Sequence, residues 1–301
     1  HFDTSNVTNM EVMFAYMTNL KTIYASSKFV TTSVTSSTSM FEKSTNLVGG
    51  AGTKYNKSYL DKTYARIDGG TSNPGYFTEK PSTFSTDSWA TIVSSVKAGN
   101  TRGYKVGETK TIDLGTTYGT HTLRIANTTT PSECNASGFS QSACGFVLEF
   151  ADIILYKEFN SSTSNTGGWS SSELRTFINN DIYNALPVDL RNIIIDTIVV
   201  SGHGKSDSTN FVTTDKLYLL APKEIFSNWS NSYDTAKSLT RTFDYYISAG
   251  VTTSNYSGAK KYKGTSAYYW WLRSAYSTSN SDFFRVNRSG GWSGSNTATA
   301  A

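Results

Sequence analysis

A histidine between two glycines, His203, is the first candidate for catalysis, and Ser201 and Asp207 stand close to it in the sequence. A serine, a histidine and an acid can perform nucleophilic catalysis only if the fold brings them into hydrogen-bonding distance, and nearness in sequence does not show this. The chain lacks the G-x-S-x-G, H-E-x-x-H, P-loop and G-x-G-x-x-G motifs. We therefore interpret His203 as a loop residue.

The acidic residues do not form a calcium loop, which needs carboxylates or amides at alternate positions. Asp207 and Asp215 stand apart, and Lys205 occupies the alternate position before Asp207. A glycosidase can use two carboxylates that are distant in the chain, but no particular pair stands out here. We predict no catalytic residue, no metal and no cofactor.

Two cysteines, Cys134 and Cys144, lie ten positions apart across a polar loop that contains glycine. A disulfide between them would close a small loop and stabilise the fold by roughly 2–3 kcal/mol. Two buried thiols are the alternative, whereas zinc is disfavoured because no second pair of Cys or His accompanies them. We predict the disulfide, which is typical of an oxidising, extracellular setting.

The last stretch of the chain, residues 267–301, contains two kinds of position. Bulky apolar residues predict a rigid frame, consisting of Trp270, Trp271, Leu272, Phe283, Phe284, Val286 and Trp292. The positions between them are small, polar or aromatic, without the pattern that a core requires. Tyrosine gives rigid contact area at low entropic cost, and Ser and Thr give adaptable hydrogen bonds. We predict a ligand-binding face made of Tyr268, Tyr269, Tyr276, Thr278, Ser279, Ser281, Asp282, Arg285, Arg288, Ser293, Ser295 and Thr297.

The composition favours a neutral, hydroxyl-rich surface, since charged residues make up only 17% of the chain against the usual ~25%. Such a surface suits hydrogen bonding with sugars or protein backbones. The net charge is +4, but Lys and Arg are scattered. We expect no nucleic-acid partner, because phosphate tracking needs a continuous basic stripe. No apolar run approaches the ~18 residues of a membrane span, so we expect no membrane insertion within this chain.

An internal repeat occupies the first 48 residues: FDTSNVTNMEVMFAYMTNLK matches FVTTSVTSSTSMFEKSTNLV at a shift of 27 positions, with Phe2 aligned to Phe29. A period of this size is typical of solenoids, whose units bury their apolar faces by stacking. Two units are too few to be stable alone. We therefore predict that residues 1–48 end a longer array, that residues 49–84 form a cap and linker, and that residues 85–301 form a further domain.

Short elements are predicted to position the last stretch. Apolar residues at Trp89, Ile92, Val93 and Val96 have helical spacing, and Gly99 should end that helix. Strands are predicted at 104–114 and 120–126, a central strand at 145–155, a short buried strand at 217–220, and a helix at 234–249. Helices and strands alternate irregularly, which favours an α+β fold.

The first repeat unit resembles the BspA-type leucine-rich repeats of bacterial surface proteins, whose units read F-D-T-S-N-V-T-N-M…M-F…L. The segment that follows resembles the one that closes such arrays, with residues 64–68 (YARID) and 74–77 (PGYF) as its signature. This resemblance implies an extracellular protein on the bacterial cell surface that touches host or neighbouring cells.

Residues 88–297 resemble a family of bacterial domains with a W-W-L-R-S core, here residues 270–274, followed by F-x-V-x-x-x-G-x-W. This chain departs slightly from the second element, because residues 284–287 are followed by Gly290, Gly291 and Trp292. The order of these two strands is similar to C-type-lectin-like folds of the formylglycine-generating-enzyme type. That likeness implies a twisted antiparallel sheet with two to four helices.

Such folds serve as receptor-binding scaffolds in the variable proteins of diversity-generating retroelements. Diversification of asparagine-type codons in those systems yields Ser, Thr, Tyr, Asp, Arg and Gly among others, but not Lys, Glu, Gln, Met or Trp. The residues between the frame positions of this chain fit that set. The resemblance therefore implies a hypervariable binding face.

The sequence predicts a non-enzymatic, cell-surface ligand-binding protein whose partner is a protein or glycan on another cell, or on a phage or host surface. A structural surface adhesin without a dedicated ligand pocket is one alternative. The other is a carbohydrate-active or cell-wall enzyme, which would need a cleft with two carboxylates or a pair of His203 and an acid.

Overall fold

The computed structural model of the protein describes residues 3–26, 29–101 and 103–300. The chain divides into two compact units, His1–Pro81 and Ser82–Ala301. Phe2, which the repeat alignment pairs with Phe29, lies outside the described residues. The division into residues 1–48, 49–84 and 85–301 stays a prediction.

The first unit contains two chain segments that are joined by hydrogen bonds between residues 26 or 27 positions apart. The Thr4 hydroxyl donates to the carbonyl of Val30 at 2.7 Å, 26 positions along the chain. The Thr35 hydroxyl donates to the carbonyl of Thr8 at 3.1 Å, 27 positions back. Apolar side chains of both segments are buried in one core cluster with the rest of the unit. The buried side chains here include Met10, Val34, Met40, Phe41 and Leu47.

The rest of this unit is held by turns and one small sheet. Strand β1 (Ile23–Ala25) pairs in parallel with β2 (Phe77–Glu79), and 3-10 turns cover Lys62–Tyr64 and Gly70–Ser72. The carboxylate of Asp68 accepts hydrogen bonds from the backbone N–H groups of Ala51, Thr53 and Gly70, each at 2.9 Å. Burial would raise the pKa of Asp68, but these bonds and one from the Thr53 hydroxyl hold it below its usual value.

The strands of the second unit form small antiparallel sheets. One sheet has the order β3 (Thr109–Asp113), β4 (Thr120–Asn127), β5 (Val147–Phe150). Two hairpins pair β6 (Thr197–Ser201) with β7 (Phe211–Asp215) and β8 (Lys261–Lys263) with β9 (Ser266–Tyr268). The last sheet has the order β10 (Trp270–Ala275), β11 (Asp282–Val286), β12 (Trp292–Thr297).

The helices of this unit are short, and among the described residues only α1 exceeds five residues. They are α1 (Trp89–Lys97), α2 (Gly115–Tyr118), α3 (Glu173–Phe177), which continues through a π-helical turn (Ile178–Ile182) into α4 (Tyr183–Ala185), α5 (Val188–Arg191), α6 (Pro222–Ile225) and α7 (Asp244–Ser248). Two 3-10 turns cover Ser132–Asn135 and Ser257–Ala259. The predicted α+β class is confirmed, and helix α1 lies where its apolar spacing indicated.

Three predicted elements differ from the structure. The strand expected at 145–155 is β5, which lies at the edge of its sheet because β4 pairs on both sides. Residues 217–220 do not form a strand: the carbonyls of Leu219 and Leu220 accept hydrogen bonds from Arg273 instead. Most of the helix expected at 234–249 is turns, and only Asp244–Ser248 is helical. The side chain of Asp234 accepts from the Trp229 indole at 2.9 Å and fixes a turn there.

A fully buried ion pair joins Arg273 of β10 to Glu224 of α6. The two guanidinium Nη atoms donate to the two carboxylate oxygens at 2.5 and 2.6 Å. The guanidinium also donates to the carbonyls of Val200 and Leu219, at 2.9 and 2.8 Å. One side chain thereby joins β10, β6, α6 and the segment before α6.

The loop closed by the cysteines lies against this pair. Cys134 and Cys144 are joined by a disulfide, with their Cα atoms 6.0 Å apart. Inside the loop, the Ser142 hydroxyl donates to the Glu224 carboxylate and accepts from Arg273 at 3.2 Å. Thr240 donates a further hydrogen bond to Glu224 at 2.7 Å. The carboxylate is therefore saturated with donors, as a buried charge requires.

Replacing Glu224 by Gln should destabilise the second unit by about 3–5 kcal/mol, because Arg273 would become a buried charge without a counter-ion. Urea unfolding followed by tryptophan fluorescence measures this change. Glu158→Gln is the matched control, since Glu158 is exposed and surface changes usually stay within about 0.5 kcal/mol. Equal stabilities of the two variants would contradict the role given to the pair.

Candidate ligand-binding face

The sheet of β10, β11 and β12 carries the positions predicted to bind ligand. Trp271 lies opposite Arg285, and Arg285 lies opposite Ser293, so these three form one row across the sheet. Because side chains alternate between the two faces of a strand, the neighbouring row of Trp270, Val286 and Trp292 lies on the other face.

The predicted frame is buried at four positions, Leu272, Phe283, Phe284 and Val286, each fully inaccessible to solvent. Trp270 and Trp271 are half-buried. Trp292 is 36% exposed and packs edge-on against Trp229, with ring centroids 5.3 Å apart. The frame therefore consists of a buried core in the middle of the sheet and a partly exposed tryptophan at its edge.

A cluster of aromatic rings and arginines, here named the Tyr–Arg cluster, consists of Tyr156, Tyr268, Tyr269, Trp271, Arg285 and Arg288. The Arg285 guanidinium lies 4.1 Å from the Tyr269 ring and 5.8 Å from the Trp271 ring. The Arg288 guanidinium lies 4.7 Å from the Tyr268 ring and 5.4 Å from the Tyr269 ring. Tyr156 contacts Tyr268 with ring centroids 4.4 Å apart. Stacking on several rings fixes the orientation of both cations.

Neither arginine of this cluster takes part in the salt bridges found among the described residues. The Nε atom of Arg285 is buried and has no hydrogen-bond partner. Burial lowers the pKa of Arg285, and the nearby Tyr269 and Tyr268 oppose that shift. A buried donor without an acceptor costs about 1–3 kcal/mol, so an acceptor brought by a ligand would recover that free energy.

The turn between β10 and β11, together with the first residue of β11, holds a second group of predicted residues, Tyr276, Thr278, Ser279, Ser281 and Asp282. The Ser279 hydroxyl accepts hydrogen bonds from the backbone N–H groups of Ser281 and Asp282, at 3.1 and 3.2 Å. The Ser281 hydroxyl lies 3.2 Å from the Ser279 hydroxyl and 3.3 Å from the Asp282 carboxylate. These hydroxyls therefore already have partners in their own turn, while Thr278 is exposed.

The ring of Tyr276 packs into the unit between Tyr233 and Phe284, with centroid distances of 4.7 and 5.1 Å. Burial raises the pKa of Tyr276. Gly294 of β12 makes room for this ring, since a Cβ atom there would lie 2.3 Å from it. Tyr276 therefore supports the sheet as well as bordering the turn.

The third group lies on β12 and consists of Ser293, Ser295 and Thr297. Ser293 is half-buried and its hydroxyl accepts a hydrogen bond from the Asn296 amide at 3.1 Å. Ser295 and Thr297 are exposed. Thr297 pairs with Asp282 and Ser293 pairs with Arg285, so the second and first groups lie about 10 Å apart along β11 at the usual rise of a strand. The structure thus places all twelve predicted residues on or next to one sheet, in three groups.

The sequence does not predict two residues that border this face. Tyr156, 48% exposed, joins the Tyr–Arg cluster from a distant part of the chain. Lys157 accepts a hydrogen bond through its carbonyl from the Trp271 indole at 3.1 Å. Neither residue belongs to a motif, so no local signal in the sequence could have indicated them.

The catalytic candidate His203 is not brought together with its sequence neighbours. Its Nδ1 lies 2.7 Å from the carbonyl of Gly204, and the Asp207 carboxylate accepts from the N–H of Gly167 at 3.0 Å. The other described histidine, His121, has both ring nitrogens engaged, one with the Asp152 carboxylate and one with the Tyr118 carbonyl. Over the described part of the chain, no three His, Cys, Asp or Glu side chains are grouped to hold a metal ion.

Residues 146–301, just over half of the chain, match the model of a family described as a domain of unknown function, DUF6273. The chain belongs to the DUF6273 family. Residues 1–71 match a second family, described as Mycoplasma protein of unknown function, DUF285, a BspA-like surface repeat family. No curated protein and no solved structure matches the chain. The DUF6273 segment contains all twelve predicted residues and the whole Tyr–Arg cluster.

Within the described ranges, no helix has the length and apolarity to cross a membrane.

Tyr276→Ala should destabilise the second unit by about 2–3 kcal/mol, below the ~3–5 kcal/mol of a fully buried aromatic residue, because the ring packs between Tyr233 and Phe284. Thr278→Ala, in the same turn but exposed, should change stability by less than about 0.5 kcal/mol. Thermal unfolding of both variants measures the difference. A melting temperature of Tyr276→Ala equal to that of the parent would remove this residue from the support of the sheet.

Proposed function

We propose that this protein is a non-enzymatic, ligand-binding protein of the bacterial cell surface, and that the Tyr–Arg cluster makes the central contacts with the ligand. The observation that carries the proposal is the state of Arg285 and Arg288. Both guanidinium groups lie against tyrosine rings, and neither has a carboxylate partner among the described residues. Planar donors held in a fixed orientation suit recognition of carboxylates and other acceptors.

An extracellular position is supported by two independent observations. The disulfide between Cys134 and Cys144 is a bond that persists in oxidising compartments. The DUF285 match at residues 1–71 connects the first unit with surface repeats of bacteria. In this proposal the first unit is the end of a repeat array, and the second unit is a lectin-like domain that presents the face.

The proposed partner is a protein or a glycan on another cell, or on a phage or host surface. Tyrosine and arginine side chains offer flat surfaces for stacking together with hydrogen-bonding groups at their edges. The exposed hydroxyls of Thr278, Ser295 and Thr297 extend the polar area around the cluster. These three residues lie outside the buried frame, so their replacement should leave the frame intact, as a hypervariable face requires.

The binding test replaces two residues of the Tyr–Arg cluster, Tyr268→Ser and Arg288→Ser, in one variant of the full chain. Labelled protein is applied to a glycan array and to intact bacterial and epithelial cells, with cell binding read by flow cytometry. We expect the parent to bind one of these surfaces and the double variant to bind it at least ~10-fold less, since clustered aromatic and arginine contacts dominate binding energies. The melting temperature should stay within about 2 °C of the parent.

The matched control replaces one tyrosine and one basic residue of the first unit, Tyr24→Ser and Lys21→Ser. Both residues are exposed. This control should bind like the parent. Undiminished binding by the Tyr268/Arg288 variant, or no binding by the parent to any of the surfaces, would contradict the proposed function.

A further inference from the structure

A cleft of about 1190 Å³ lies in the second unit beside the Tyr–Arg cluster. Its lining includes the segment 146–157, which contains β5, residues of α3 and the π-helical turn, and the segments 192–198 and 216–220. Tyr269, Trp271 and Arg285 line the cleft where it meets the cluster. Small-molecule pockets usually span about 300–1,000 Å³, so this cleft has room for a ligand of considerable length.

The walls of the cleft are apolar. Among the lining residues are Leu148, Phe150 and Ile154 from the segment around β5, and Ile178 and Ile194 from the segments that follow α3. Each of these side chains packs against a core cluster yet remains partly exposed. An apolar ligand would remove this surface from water, at about 25 cal/mol for each Å² buried.

The charges along the cleft are not balanced at the end next to the cluster. The Glu149 carboxylate is neutralised by Arg124 at 2.7 Å and by Lys261 at 2.8 Å. The Asp152 carboxylate lies 3.0 Å from a nitrogen of His121. Lys157 and Arg285, in contrast, are cations that line the cleft and form no salt bridge in the described part of the chain, although Lys157 interacts electrostatically with the Glu173 carboxylate.

Both residues lie near Trp271, Lys157 through its backbone carbonyl and Arg285 through its guanidinium. The Trp271 indole donates to the Lys157 carbonyl at 3.1 Å, and the Arg285 guanidinium lies 5.8 Å from the Trp271 ring. The Lys157 ammonium lies 4.6 Å from the Phe177 ring, and Phe177 also lines the cleft. The cleft therefore combines long apolar walls with a cationic end that contains the unpartnered Nε of Arg285.

A peptide strand could pair with few backbone groups between Phe150 and Ile154, because three of these groups already have partners. The Ile153 N–H donates to the Tyr262 carbonyl at 2.9 Å. The carbonyls of Phe150 and Ile154 accept hydrogen bonds from the ammonium groups of Lys261 and Lys263. A peptide strand added at these positions would bury backbone groups without partners, which is costly. An acyl chain has no such groups.

We propose that this cleft binds a long-chain carboxylic acid, with its acyl chain along the apolar walls and its carboxylate at Arg285 and Lys157. The inference goes beyond the proposed function and does not require it. Tyr268 and Arg288, which test the proposed function, are not among the residues that line the cleft. Failure of one proposal therefore leaves the other standing.

The test is isothermal titration of the full chain with palmitate below its critical micelle concentration. We expect saturable binding with one site per chain, and a fall in affinity of about fourfold for each methylene removed when myristate and laurate replace palmitate. The head-group variant Arg285→Gln with Lys157→Gln should bind palmitate at least ~10-fold more weakly and should bind hexadecanol, which has no carboxylate, like the parent. The wall variant Ile194→Ser should weaken both ligands equally.

The Tyr268→Ser and Arg288→Ser variant should bind palmitate like the parent, whatever its effect on cell binding. Melting temperatures of all variants show whether each is folded, and the wall and head-group variants give two independent tests. Absence of saturable palmitate binding by the parent would overturn the proposal. The proposal would also be overturned if neither variant weakened palmitate binding, or if the protein bound vesicles of phosphatidylglycerol but did not bind palmitate.

Discussion

The buried ion pair of Arg273 and Glu224 is the constraint on which the second unit depends. A guanidinium without solvent must have acceptors in its own plane, and here they come from α6 and from the carbonyls of Val200 and Leu219. The disulfide loop adds the Ser142 hydroxyl. Because one cation requires these partners together, its position fixes where β10 lies relative to β6, α6 and the loop.

The position of β10 in turn determines the face. With Arg273 directed into the unit, Leu272 is also buried, and Trp271 lies in the same row as Arg285 and Ser293. A fixed row of this kind can hold large side chains in set orientations, as the stacking of Arg285 on Tyr269 illustrates. The same sheet borders an apolar cleft. One rigid core therefore supports both the Tyr–Arg cluster and the residues that line the cleft next to it.

The sequence predicts most of the features that depend on local pattern. The α+β class, the helix at α1 and the buried positions of Leu272, Phe284 and Val286 follow from apolar spacing. Long-range partners could not be predicted. Nothing near Arg273 in the sequence indicates Glu224, and the carbonyls of residues 219–220 serve this arginine instead of a neighbouring strand. Tyr156 and Lys157 join the face through tertiary contacts alone.

The central claim is that a fixed, buried frame presents side chains that are free to change. Sequencing the same locus in sister strains tests it most directly. The account predicts replacements confined to residues 267–269 and to the exposed or half-buried positions of 275–299 other than Tyr276, with Leu272, Arg273, Phe284 and Val286 retained. Replacements spread uniformly along residues 85–301, or changes at these four positions, would contradict it.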